Sequence, residues 1–230
     1  MANSINTNVG ALVALQNLNQ TSRELAVTQN RVNTGQKVSS AKDNGAIWAT
    51  AQNQKANMQV LNTTRNSLQR TQSVNDVGLA AGETIMDALR QMKELAAGPA
   101  STARDADLAA LRTEVVAAQA AAVFDGTAAL SGLTLTIAAA PTAGQIDADI
   151  ASAISALQTL GTSSKSTERS LAFNDKLQDA LEAGIGNLVD ADLAKESARL
   201  TALQTKQQLG VQALSIANSS SQTLLSLFRN

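Results

Sequence analysis

Apolar residues recur along this chain in steps of three and four, and the steps hold over long stretches. Ile5, Val9, Leu12 and Leu15 open one such stripe, and Leu18, Leu25 and Val32 continue it at intervals of seven. A helix turns once in about 3.6 residues, so this spacing places an apolar stripe on one helix face. The pattern breaks at Asn33-Thr34-Gly35 and at Asp43-Asn44-Gly45, where both tripeptides carry turn chemistry. A non-helical connection is expected between about Thr34 and Gly45. From Ala49 the helical pattern returns, with Met58, Leu61, Leu68, Ile85, Leu89, Met92 and Leu95 on one side. Asn75, Gly78 and Gly82 interrupt that seam. A buried Asn fixes register at some cost in stability, and glycines let a neighbour approach closely. Gly98-Pro99 then stops the helix, glycine past the end and proline beyond it.

A third helix is expected after Ser101 or Thr102, carrying Leu108, Leu111, Val115, Ala118 and Ala122 and running out at Phe124-Asp125-Gly126. Between there and Pro141-Thr142-Ala143-Gly144 the period changes to two: Leu133, Leu135 and Ile137 alternate with Thr134 and Thr136. That supports one or two short strands, a hairpin at most. The segment from Gly132 to Gly144 lies outside both heptad regions and is expected to tolerate deletion. From Gln145 onward Ile150, Leu157, Leu160, Leu171, Leu181, Ile185 and Leu188 hold a three-four register. The register then shifts, and Leu193, Leu200, Leu203, Gly210, Leu214, Ala217, Leu224 and Phe228 carry a second stripe to the C-terminus. Heptads sustained over this length mean coiled-coil packing. The expected fold is mainly α: a long antiparallel helical hairpin or coiled-coil rod whose ends lie together, with a small β-hairpin.

Composition narrows the chemistry. The 230 residues include no cysteine and no histidine, which removes thiol nucleophiles, disulfides, the usual zinc ligands and the commonest neutral-pH base. Aromatics make up 2%, with Trp48 the one tryptophan, so base-stacking platforms and aromatic pockets are hard to build. Eighteen basic and 19 acidic residues give a formal charge of −1, without the clustered cations of a nucleic-acid surface. No run approaches the ~18 apolar residues of a membrane span, so no membrane insertion is expected. The N-terminus lacks the basic and apolar regions of a signal peptide, and those signals alone point to the cytoplasm.

Four clusters carry candidate chemistry. Asp190, Asp192 and Glu196 form the densest acidic group, but lack the further ligands and loop glycine of a calcium site; carboxylates opening a helix explain them. Ser163-Ser164-Lys165-Ser166 and Ser219-Ser220-Ser221 have no oxyanion-forming loop beside them. Gly184-Ile185-Gly186 sits inside a heptad run and follows no strand. No catalytic, cofactor or metal site is expected. Thr223-Leu224-Leu225-Ser226-Leu227-Phe228 is apolar, and either tucks into the protein's own core or awaits another subunit.

Both ends carry a resemblance. Ser4-Ile5-Asn6-Thr7-Asn8, Ala11-Leu12, Leu15-Gln16-Asn17-Leu18 and Arg31-Val32-Asn33-Thr34-Gly35-Gln36-Lys37-Val38 resemble the N-terminal signature of bacterial flagellins. Phe124-Asp125-Gly126-Thr127 resembles the motif at the end of that family's third helix. Asp190 to Ser197, Leu203-Gln204, Gln207-Gln208-Leu209-Gly210, Leu214 to Asn218 and Leu224 to Arg229 resemble its C-terminal signature. Asn44 to Thr50 and Lys206 to Leu214 are similar to alphaproteobacterial flagellins, in particular the Caulobacter type.

The resemblance implies a structural subunit of the flagellar filament, not an enzyme, and no cofactor. It implies an inner domain of paired terminal helices, residues 1–40 and 191–230, lining the filament channel, and an outer domain, 41–190, with a β-hairpin near 124–144. The large variable outer domains of many members are expected to be absent, since they would fall between Phe124 and Gln145. Subunit assembly is expected to run through Ile5, Val9, Leu12, Leu15, Leu18, Leu25, Leu203, Leu214, Leu224, Leu225 and Phe228. The implied partners are copies of the chain, paralogous flagellins, the type III export apparatus, a flagellin chaperone, the filament cap and the hook-filament junction proteins. Location would be extracellular, reached without a cleaved signal peptide. A hook-filament junction protein shares the terminal signatures and is the alternative. The family's stretch recognised by a toll-like receptor is matched by Leu89 to Gly98, with Gln91 and Gly98 where strongly recognised members carry arginine and glutamine.

Overall fold

Short polar side chains decide where each helix starts. The computed structural model describes the backbone of residues 8–136, 138 and 141–227, with side chains through residue 219. Its elements are α1 (Val9–Thr34), α2 (Gly45–Ala97), α3 (Thr102–Ala121), strands β1 (Val123–Phe124) and β2 (Thr127–Ala128), α4 (Ala143–Val189) and α5 (Leu193–Leu227). The architecture is mainly α. Asn8 caps α1, its side-chain oxygen accepting from Ala11 N–H at 3.0 Å. Asn44 caps α2 by accepting from Ile47 N–H at 3.1 Å, which starts that helix at Gly45, ahead of the apolar pattern that resumes at Ala49. Ser101 caps α3, and Thr142 with Gln145 forms a reciprocal capping box at the head of α4. Gly35, at φ 69°, closes α1 in the left-handed conformation that lacks a steric cost only for glycine.

The chain packs as two units, Met1–Asn57 with Leu181–Asn230, and Met58–Ala180. In the second unit Ile85, Leu89 and Met92 of α2, Leu108 and Val115 of α3 and Ile146 of α4 are at most 1% exposed and form one cluster with Leu130 and Leu133. Elsewhere in this unit α2 and α4 meet across a polar seam. Buried Asn75 donates to Ser163 Oγ at 3.2 Å, Gln72 donates to Ser164 Oγ at 2.8 Å, and Asn174 donates to the Leu61 carbonyl at 3.2 Å. The glycines allow the close approach expected of them. A Cβ on Gly82 would lie 2.5 Å from Leu157 Cδ2, and one on Gly78 would lie 2.9 Å from Leu160 Cδ1. Gly82→Val is therefore expected to lower the stability of this unit by about 1–3 kcal/mol through overpacking. Gly161→Ala, with nothing within 4 Å of the new Cβ, should raise it by up to about 1 kcal/mol through helix propensity. Paired thermal melts check both signs.

The hairpin lies earlier than the alternation of Leu133, Leu135 and Ile137 indicates. Val123 pairs with Ala128 and Phe124 with Thr127, around Asp125 (φ 51°) and Gly126 (φ 75°). Two central residues with positive φ make the tight turn whose twist suits a two-stranded ribbon. Residues 133–136 form no strand; Ile137 lies outside the described residues. Leu133 is buried because the extended segment rests on the helices, and its backbone is taken up by side chains. Gln119 Nε2 donates to the Leu133 carbonyl at 2.9 Å, and Thr136 N–H donates to buried Asp149 at 2.7 Å. Leu133 and Pro141 are buried, so deletion across Gly132 to Gly144 would cost the second unit their packing.

Candidate subunit-assembly surface

In the first unit α1 and α5 run antiparallel. Asn8 Nδ2 donates to the Ala217 carbonyl at 2.8 Å at one end, and Arg31 Nη1 lies 3.2 Å from Glu196 Oε1 at the other. Between them, a Cβ on Gly210 would lie 3.3 Å from Leu18 Cδ1. The covered positions follow a heptad. In α1 they include Ala11, Ala14, Leu18, Thr21, Leu25, Thr28 and Val32; among described side chains of α5 they are Glu196, Leu200, Leu203, Gln207, Gly210, Leu214 and Ala217. Steps of three and four at this regularity are a coiled-coil seam. Alanine, threonine and glycine alternate in it with leucine and valine, so the helices approach closely at the small residues. Thr21 satisfies its hydroxyl by donating to the Asn17 carbonyl at 2.9 Å.

The single stripe expected from Ile5 to Val32 is in fact two. Leu18, Leu25 and Val32 face α5, as Leu203 and Leu214 face α1, with Leu203 buried. Val9, Leu12 and Leu15 do not: they are 64%, 57% and 44% exposed. Leu12 and Leu15 each follow a seam alanine by one residue, a rotation of about 100° around the helix. Ile5 and Phe228 lie outside the described residues, as do the side chains of Leu224 and Leu225 in α5. Val13 and Val27 on α1 and Leu209, Val211 and Ile216 on α5 are also exposed. These five escaped the sequence pattern because they sit off the heptad.

At the other end of this unit, backbone pairing joins the two chain segments. Lys37 N–H donates to the Val189 carbonyl at 2.7 Å, and Ala191 N–H to that of Gly35 at 2.9 Å. Asp43 closes the intervening loop by accepting from Ser40 and Ser39 N–H at 2.9 and 3.0 Å, and those bonds hold its carboxyl below the ordinary range. The acidic cluster serves the helix start. Asp192 accepts from Lys195 N–H at 3.1 Å and Glu196 pairs with Arg31. Ser164 is buried under Gln72, Lys165 pairs with Glu168 at 3.2 Å, and Gly184 and Gly186 lie within α4. Among the described residues no group of acidic side chains could hold a metal, and no helix is long and apolar enough to cross a membrane.

This arrangement offers helical surfaces, and comparisons with known proteins say what family presents them. Residues 5–134 match the bacterial flagellin N-terminal helical region, and residues 143–228 match the bacterial flagellin C-terminal helical region. Flagellin FljN of Caulobacter vibrioides is 50% identical and flagellin FljO of the same bacterium 51%, each alignment covering 99% of both chains. A flagellin of Brucella melitensis is 32% identical over 98% of this chain and 99% of its own. The Caulobacter alignments run over 270 positions, more than the 230 residues here, so those relatives carry segments that this chain lacks. Agreement of this extent at both ends does not favour a hook-filament junction protein. The chain belongs to the bacterial flagellin family and is a structural subunit of the extracellular flagellar filament, not an enzyme.

Proposed function

We propose that the α1–α5 pair is the surface through which subunits join, within an inner layer of residues 1–40 and 191–230 that lines the filament channel; residues 41–190 form the outer layer. One observation carries this. Among the described side chains of the two helices only Thr21, Thr28 and Leu203 are buried, whereas Val9, Leu12, Val13, Leu15, Val27, Leu209, Val211 and Ile216 face solvent. The described part of the pair, with Leu203 buried and its other seam leucines half-covered, gains little to offset the entropy of ordering its backbone. Neighbouring subunits supply the missing contacts. Leu18, Leu25, Leu203 and Leu214 close the seam, and Val9, Leu12 and Leu15 meet other copies; Ile5, Leu224, Leu225 and Phe228, assigned from the sequence pattern, complete the assembly set.

An element that is marginal alone and ordered on assembly suits a subunit exported unfolded through the flagellar type III apparatus, without a cleaved signal peptide. The export apparatus, a flagellin chaperone, the cap and the hook-filament junction proteins are the partners this implies. The test is hydrogen exchange on monomer and on filament. Residues 1–40 and 191–230 should exchange fast in the monomer and slowly in the filament, while the Leu89 region is protected in both. Strong protection of the terminal segments in the monomer would sink the idea.

A further inference from the structure

A coiled coil built on a regular heptad has several near-equivalent registers, because after a slide of seven residues each seam position again meets a seam position. The α1–α5 seam faces that ambiguity along its whole length. Charge cannot resolve it in the distal half, since no Asp, Glu, Lys or Arg occurs in residues 1–22 or 207–228. Among the described contacts, Leu18 lying on Gly210 and the Asn8 side chain mark the register there. The Asn8 side chain does two jobs at once: its oxygen accepts from Ala11 N–H at 3.0 Å, and its nitrogen donates to the Ala217 carbonyl at 2.8 Å. A slide of one heptad moves the helices by about 10 Å. That would separate Asn8 from Ala217 and, at the charged end, Arg31 from Glu196.

We propose that Asn8 is a positioning residue that fixes the register of the terminal helix pair, acting with the Arg31–Glu196 ion pair at the opposite end. This rests on α1–α5 being the assembly surface. A slipped pair would offer Val9, Leu12 and Leu15 of α1 at the wrong level relative to Leu209, Val211 and Ile216 of α5, so neighbouring copies would meet a mismatched face. Polar groups commonly specify register in coiled coils at some cost in stability. Here a capping residue also serves as the lock, so the start of α1 and its alignment with α5 are set by one side chain.

The chain has no cysteine, so introduced pairs report register without background. A Cβ on Gly210 would lie 4.0 Å from Leu18 Cβ, within the span of a disulfide. Leu18→Cys with Gly210→Cys therefore reports the native register, and Leu18→Cys with Leu203→Cys or with Ala217→Cys reports the two one-heptad slips. Each pair is built into the full chain, oxidised under polymerising conditions, and the intrachain product is quantified by mass spectrometry whether or not filaments form. Asn8→Asp keeps the cap and loses the donor; Asn8→Ser keeps the cap, but its hydroxyl, one bond shorter than the amide, falls short of the Ala217 carbonyl; Asn8→Ala loses both. All three should lower the ratio of native to slipped product about fivefold, the factor one net hydrogen bond supports, and should slow filament growth. Wild-type ratios in Asn8→Asp and Asn8→Ser would reduce Asn8 to a cap and overturn the proposal. Slipped product with normal filament growth would instead count against α1–α5 as the assembly surface.

Discussion

Leu12→Asp chains should fold their second unit normally and form no filaments. Leu12 is 57% exposed on α1, so in a lone chain the aspartate meets water and costs little. In the proposed filament the same position is covered by a neighbour. Burying a leucine contributes about 1.5–3 kcal/mol, which is lost, and an unpaired carboxylate moved out of water adds a cost of several kcal/mol. Each subunit carries the fault at each contact, so a local penalty becomes prohibitive for a polymer. Leu214→Asp should act on the α1–α5 seam itself with the same outcome. The measurement is sedimentation under polymerising conditions beside a thermal melt of the monomer. Normal filaments from Leu12→Asp would show that the exposed face of α1 is not an assembly surface. A lowered melting temperature of the second unit would show that the defect is one of folding.

How much of this was legible in the sequence depended on the range of the interaction. Features set by neighbours in the chain could be read directly. The break between Thr34 and Gly45, the stop at Gly98-Pro99 and the start after Ser101 all follow from caps and breakers acting within four residues. The close approach at Gly78 and Gly82 was legible too, because a glycine amid a helical apolar pattern implies a neighbour. Which face of α1 meets α5 was not. Apolar residues at steps of three and four permit two adjacent stripes, and only the partner decides that Leu18 is covered while Leu15 is not. The hairpin was displaced for a related reason. Leu133 and Leu135 alternate because one side rests on helices, and that burial mimics the period of a strand. The Asp125-Gly126 pair carries the turn signal in the sequence, but lying directly after the α3 pattern it reads equally as that helix's end. The bond from Asn8 to Ala217 joins residues at opposite ends of the chain, and nothing local announces it.

Leu89→Ala should cost the second unit about 2–5 kcal/mol, the range for deleting a fully buried leucine side chain. Leu89 is 0% exposed, held among Ile85 and Met92 of its own helix and within the cluster to which α3 and α4 contribute Leu108, Val115 and Ile146. Three helices meet there, so the cavity is bordered by side chains that are themselves buried and can move in only by disturbing a second contact. The polar α2–α4 seam elsewhere in the unit offers little in compensation, because its hydrogen bonds largely replace bonds to water. For a unit of this size the loss corresponds to a fall of about 10–20 °C in melting temperature. It should be read on the monomer, since polymerisation adds stabilisation by mass action. Val116→Ala is the control. That valine is 52% exposed on α3, and its truncation should stay within about 0.5 kcal/mol of wild type. Equal melts for the two variants would mean that the α2–α3–α4 cluster is not what holds residues 58–180 together. The exposed valines would then have to be counted as structural rather than as surface available to other copies.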